Sequence, residues 1–225
     1  AWALHVLRQD PSIEVVGLFA TVNNRYNRVS MHASSLDMLV RQSEAVGLSV
    51  ETLLLPDPCP NETYERIMGR FVEVCKKRGV VCMAFGDLFL AEVREYREQR
   101  LMRAGIEPLF PLWGMPSMDL AETMLSSGLE AYVSCVSLGV LDAGVVGRRW
   151  SMDMIHSLPS GCDPCGENGE FHTVVVDGPM FSCRIPADVG EVVVRDGFAY
   201  ADIVPRGSYD QDKREKGKRQ RTPSS

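Results

Sequence analysis

The sequence predicts an α/β fold: a right-handed, mostly parallel sheet flanked by helices, followed by a smaller α+β region. Three observations carry this expectation. Short β-branched runs alternate with amphipathic helical stretches through about residue 130. Several of these elements end at glycine or proline (Gly47, Pro56, Gly79, Gly114). Beyond about Ala131 the pattern shifts to closely spaced strands, with Asp196-Gly197 as a hairpin turn.

Taken in order, the chain opens inside a helix, since Trp2 and Val6, and Ala3 and Leu7, repeat at helical spacing. Ile13 to Asn23 reads as a buried strand. Ser30 is a cap for the helix that follows, whose apolar face is Leu36, Leu39, Val40 and Ala45. Val50 to Leu55 is a second strand, and Asn61 caps a helix running to about Lys77. Val80 to Phe85 is a third strand delivering Gly86 and Asp87 at its end, and a charged helix runs from about Leu88 to Ala104. Leu109 to Trp113 is a fourth strand, with a helix starting at Pro116-Ser117. Tyr132 to Leu138 is a strand, 139–160 a helix-bearing connection and 172–204 a β-rich region. The expected organisation is an α/β domain over 1–130, a second domain over 131–205 and a disordered basic tail over 206–225. No internal repeat is visible.

An apolar fraction of 45% in 225 residues suffices for a core. No uninterrupted apolar run reaches the roughly 18 residues that a membrane span needs. The seven cysteines are odd in number and scattered through apolar segments, which suits reduced thiols in a cytoplasm. From Arg206 onward seven Lys or Arg and three Asp or Glu give a local charge of +4, so residues 1–205 carry −10 of the net −6. An acidic body argues against a broad nucleic-acid surface. The tail can touch RNA or an acidic partner, or simply be solvated.

Chemistry concentrates in Asp163-Pro164-Cys165-Gly166-Glu167-Asn168-Gly169-Glu170-Phe171-His172-Thr173. Two glycines and two glutamates in five residues read as a tight polar loop feeding a strand. Glu167, Asn168 and Glu170 offer acceptors, with one amide donor, to something near the turn; a β-turn with solvated carboxylates is the plainer alternative. In parallel α/β sheets ligands gather beyond the carboxyl ends of the strands. Asn23 to His32, Gly86-Asp87 and Leu112 to Gly114 fall at such ends, and the acidic loop joins them if the second region folds back. Asp87 can accept from a hydroxyl or hold a metal-bound water, or it can cap the helix after it. His32 can bond an anion or face solvent. Arg94, Arg97 and Arg100 can grip phosphate, or pair with Glu92, Glu95 and Glu98. Cys162 and Cys165 are half a zinc site with only His172 close in sequence, so no metal site is assigned.

Asp163 to Thr173 with Asp177-Gly178-Pro179 resembles the signature of the diphthine–ammonia ligase (diphthamide synthase) family of ATP pyrophosphatase-type enzymes. Arg28-Val29-Ser30-Met31-His32, Phe85-Gly86-Asp87, Leu88 to Glu98 and Pro111-Leu112-Trp113-Gly114 agree with it, so the likeness spans about Ala1 to Pro186. The resemblance implies a Rossmann-like sheet of the adenine-nucleotide α-hydrolase (N-type ATP pyrophosphatase) type, with a family-specific substrate domain. It also implies ATP and Mg²⁺, a carboxylate activated as its adenylate, and ammonia as the acceptor. Diphthine on an elongation factor is the implied substrate; in a bacterium another carboxylate would take its place. The implied roles are Glu167 and Glu170 as catalytic groups, and Ser30, His32, Gly86 and Asp87 on the nucleotide side. Asn168, Gly169 and Thr173 would line the acceptor side. The family's Ser-Gly-Gly-Lys-Asp-Ser phosphate loop would lie upstream of Ala1 together with the first strand, so the 225-residue chain is expected to bind ATP poorly. An ATP pyrophosphatase acting on tRNA and a non-catalytic nucleotide-binding module are the alternatives.

Overall fold

A computed structural model describes residues 1–24, 28–29 and 34–207. Ser30 and His32, and the basic tail beyond Gly207, lie outside the described residues. The chain begins with helix α1 (Trp2–Leu7), followed by strand β1 (Leu18–Asn23) and the two-residue β2 (Arg28–Val29). Helix α2 (Leu36–Val46) leads to β3 (Val50–Leu55), and α3 (Asn61–Lys77) to β4 (Cys82–Ala84). Helix α4 (Ala91–Ala104) leads to β5 (Glu107–Leu109), and α5 (Ser117–Ser126) to β6 (Glu130–Ser137). A 3-10 turn at Ala143–Val145 and the short α6 (Met152–His156) precede β7 (Phe171–Asp177), β8 (Ala187–Arg195) and β9 (Phe198–Pro205).

The expected single parallel sheet appears among the described residues as two parallel ladders. In one, β1 pairs with β3 from Leu18↔Val50 to Asn23↔Leu55, with β2 antiparallel at its far end. In the other, β4 pairs with β5 from Cys82↔Glu107 to Ala84↔Leu109. The ladders meet through side chains. Phe19 of β1 lies edge-on to Phe85 at 6.1 Å, above a cluster of Phe71, Met83, Leu101 and Ile106. The later strands form an antiparallel sheet in the order β7-β6-β9-β8. Asp196 and Gly197 both adopt positive φ in the β8–β9 hairpin turn, as that dipeptide requires.

Several boundaries differ from the sequence expectation, the first two below because a strand partner decides them. The Ile13–Asn23 run forms a strand only from Leu18, where the β3 partner begins. The strand expected over Leu109–Trp113 is instead Glu107–Leu109, in register with β4; Pro111 follows, and Trp113 N–H turns back to Phe110 O. The cap of α2 is Ser35, whose hydroxyl accepts from Met38 N–H, and not Ser30. Asn61 is the first residue of α3 rather than a side-chain cap.

The larger apolar cluster draws on both sides of residue 130. Met38 and Val46 of α2 and Leu120 of α5 join Val133, Phe171 and Val176 of the antiparallel sheet. Polar bonds reinforce the contact: Gln42 Nε2 donates to Val175 O at 2.8 Å, and Ser182 N–H to Ala45 O at 2.7 Å. Burying a side chain such as Phe171 contributes about 1.5–3 kcal/mol. No described helix is long and apolar enough to cross a membrane.

Candidate functional site

The acidic turn is a closed hydrogen-bonded loop. Asp163, nearly buried, accepts from Cys165 N–H at 2.9 Å and Glu167 N–H at 3.1 Å through one carboxylate oxygen. Its own N–H donates to Glu170 Oε1 at 2.9 Å, and Asn168 Nδ2 donates to the same oxygen at 3.0 Å. Gly166 and Gly169 take φ of +72° and +84°. A Cβ at Gly166 would sit 2.5 Å from Phe171 O, so that position has no room for a side chain. Outside the loop, Ser137 N–H donates to Glu170 O, Trp150 Nε1 to Pro164 O, and the Cys165 thiol to Ser117 O. Sheet, 3-10 connection and α5 therefore all hold the turn.

That rigid loop carries Glu167 to the end of β4. Glu167 Oε1 accepts from Leu88 N–H at 2.7 Å, directly after Gly86-Asp87. Leu88 O in turn accepts from Gly114 N–H at 2.8 Å. With both main-chain groups of Leu88 committed this way, α4 starts at Ala91 and not near Leu88. Asp87 does not cap that helix either. Arg97 grips its carboxylate with Nε at 2.8 Å and Nη2 at 3.3 Å, while stacking 4.3 Å from the Phe85 ring centroid. Of the other helix arginines, Arg94 pairs with Glu98 and lies over Trp113, and Arg100 pairs with Glu65. Gly86 has only Ala3 Cβ, at 4.0 Å, in the direction of a side chain.

The structure thus brings Gly86, Asp87, Glu167, Asn168, Gly169 and Glu170 into one neighbourhood. Thr173 lies further along β7, opposite Val133, and lines a small cavity with Trp2, Trp150 and Cys165. The two glutamates differ. Glu170 is 5% exposed, and its Oε2 has no hydrogen-bond partner among the described residues. Burial works to raise its carboxyl, but bonds from the Asp163 N–H and the Asn168 amide outweigh it and hold it below the usual range. Glu167 is shifted the other way. Burial raises its carboxyl despite the Leu88 bond, and the carboxylates of Asp87 and Asp163 add to the rise. An ionised Glu167 is therefore part of an under-compensated negative patch, a setting that favours a cation.

The sign of that shift gives a test. The folded protein holds the Glu167 proton more tightly than the unfolded chain does, so the group contributes stability at low pH. That contribution is lost as pH rises through the folded value, in a window starting near 4.5 and extending above it. Denaturation of wild type and Glu167→Gln across that window should show wild type losing ground to the variant as pH rises.

Burial, with the nearby carboxylates, pushes Cys162 up to about 11 and Cys165 up to about 12. All seven cysteines are free, and no group of three or more potential metal-ligating side chains gathers among the described residues. Sequence reasoning missed Asp163 as the organiser of the loop, although an Asp accepting from N–H groups two and four residues on is a readable turn signal. It also missed Leu88 N–H and the Arg97 grip on Asp87, for which no local signal exists.

Residues 116–204 match the diphthamide synthase C-terminal domain, and so include the acidic turn. The chain is 25% identical over 185 residues to the human diphthine–ammonia ligase, covering 79% of this chain and 68% of that protein. It is 26% identical over 191 residues to the zebrafish (Danio rerio) diphthine–ammonia ligase, covering 83% and 74%. Against the fission yeast (Schizosaccharomyces pombe) protein of the same name the identity is 34% over 95 residues, covering 40% and 16%. With that domain match over 116–204 and about four-fifths of its length aligned at about a quarter identity, the chain is similar to the diphthine–ammonia ligases.

Proposed function

We propose that this protein is an ATP-dependent amide ligase that adenylates a carboxylate, diphthine or a related substrate, and passes the acyl group to ammonia. The observation that carries this reading is the Glu167 carboxylate on Leu88 N–H, which joins the acidic turn to the end of β4 beside Gly86 and Asp87. The names of the aligned relatives supply the reaction class.

In this scheme the substrate carboxylate attacks the α-phosphorus of ATP, and the bond to pyrophosphate breaks. Ammonia then attacks the acyl carbon, AMP leaves, and the nitrogen sheds a proton. A carboxylate is a poor acyl donor, whereas its adenylate has a good leaving group. Gly86 lets the backbone approach the nucleotide, and Asp87 is oriented there by Arg97; the roles of Ser30 and His32 on the nucleotide side rest on the family resemblance alone. Mg²⁺ would enter with the phosphates and supply charge neutralisation. It would need only one or two protein carboxylates, and Asp87, which would have to share its oxygens with Arg97, is the one at the strand end. Glu167, with Asp87 and Asp163 near it, draws a cationic acceptor or ammonium toward the turn. Glu170 is a positioning residue that fixes Asp163 and Asn168, while Gly169 and Thr173 border the acceptor side.

The test is ATP–pyrophosphate exchange by the full-length protein. Exchange that requires a diphthine-bearing elongation factor or another carboxylate, with AMP accumulating only when ammonium is added, is the expected result. Exchange stimulated by tRNA, or ATP cleavage to ADP, contradicts it.

A further inference from the structure

Strand β8 is the edge of the antiparallel sheet; β9 is its only strand partner among the described residues. An edge strand is ordinarily blunted by lysine, proline, a bulge or a covering element, since its open main-chain groups template further pairing; in β8 the register shifts between Val189 and Val192, and the ladder is regular from Val192 to Arg195. Here Val192, Val193 and Val194 are 48%, 45% and 60% exposed in succession, so both faces of the strand are uncovered. By register, Val192 and Val194 lie on the face of their partners Ala201 and Ala199, which are buried in the core. The core face of the sheet thus continues onto β8 without a lid. Val193 shares the opposite face with Arg195, and Glu191, the residue between the register shift and Val192, falls on that face by alternation from Val192.

The hairpin fixes which main-chain groups point outward. Arg195 pairs with Phe198 across the two-residue turn, so Arg195 and Val193 direct their N–H and C=O groups to β9. Those of Val192 and Val194 point away, ready for another strand. The side chains select a register. In an antiparallel self-pairing centred on Val193, Val192 faces the partner's Val194 as a hydrogen-bonded pair, and Val193 faces its own copy. Glu191 then faces the partner's Arg195, and the two-fold axis makes this happen twice. The strand is therefore complementary to itself in charge as well as in apolar surface, with opposite charges flanking a valine centre.

We propose that β8 is a homodimer interface, through which two copies join their four-stranded sheets into one antiparallel eight-stranded sheet. The Arg195 guanidinium, which lies 4.7 Å from the Tyr200 ring centroid, is held on the same face as Glu191 and is oriented by that stacking. The pairing extends the core face by the Val192–Val194 contacts, and leaves the Glu167 turn on the β6–β7 side of the sheet untouched.

The experiment is sedimentation equilibrium of the full-length protein from low micromolar to about 200 µM, with single and mixed charge reversals. Wild type should be a dimer. Glu191→Arg places two arginines opposite one another, and Arg195→Glu two glutamates; each should weaken the dimer by at least about tenfold. An equimolar mixture of the two variants regains opposite charges at both positions and should dimerise like wild type, which also shows that each variant is folded. The mixture distinguishes this interface from any other. A wild type that stays monomeric over the range overturns the proposal. So does a dimer that neither reversal weakens, or a pair of weakened variants that mixing does not restore.

Discussion

Gly166→Ala should dislodge the acidic turn and cost about 2–5 kcal/mol of stability, combining left-handed backbone strain with a steric clash. The reason is local and severe. Gly166 has φ +72°, and an added Cβ would meet Phe171 O at 2.5 Å, with the Phe171 ring at 3.3 Å on the same side. Neither neighbour can yield, because Phe171 is 1% exposed and is held in the β6–β7 ladder opposite Val136. Gly169 provides the internal control: its φ is +84°, but nothing lies within 4 Å of its Cβ position. Gly169→Ala should therefore cost only the backbone term, about 1 kcal/mol. Thermal melts of the two variants should differ in that order, with Gly166→Ala lower by roughly 5–15 °C than wild type. Equal melting temperatures for the two variants would show that the loop closes differently.

Glu167→Ala should separate the two half-reactions. The Leu88 N–H loses a charged acceptor, which costs about 1.5–3 kcal/mol of local stability, and the turn is freed from the end of β4. On the proposed scheme ATP and the substrate carboxylate still react, since Gly86, Asp87 and Arg97 are unchanged. Ammonia capture, which depends on the negative patch formed by Glu167 with Asp87 and Asp163, is misplaced. Amide formation should fall on the order of 100-fold, while ATP–pyrophosphate exchange stays within about threefold. Equal loss of both rates would mean that Glu167 acts only as a clasp, and unchanged amide formation would remove it from the mechanism altogether.

How much of this was legible beforehand depended on whether the information was local. The alternation of strands and helices, the helix ends at Gly47 and Gly79 and the Asp196-Gly197 hairpin all follow from local backbone preferences, and the structure has each of them. The division of the parallel strands into two ladders was not legible, because strand partners are chosen through space. The same holds for β1, whose apolar run starts at Ile13 but forms a strand only where β3 stands alongside. In the site, the glycine-rich acidic loop was readable from spacing. The unequal environments of its glutamates were not: Glu170 is turned inward by Asp163 and Asn168, while Glu167 reaches 79 residues back along the chain to Leu88. Arg97 likewise reads from sequence as one of three arginines on a charged helix, and only its contacts with Phe85 and Asp87 set it apart.

The claim on which everything else depends is that the acidic turn of the second half is clasped to the β4 end of the first, and amide hydrogen exchange at Leu88 reads that clasp directly. In the full-length protein the Leu88 N–H should exchange slowly, and Glu167→Ala should speed it on the order of 100-fold while the β6–β7 amides keep their protection. A Leu88 amide that already exchanges like an open loop in the wild-type protein, or one indifferent to the loss of the Glu167 carboxylate, would contradict the account.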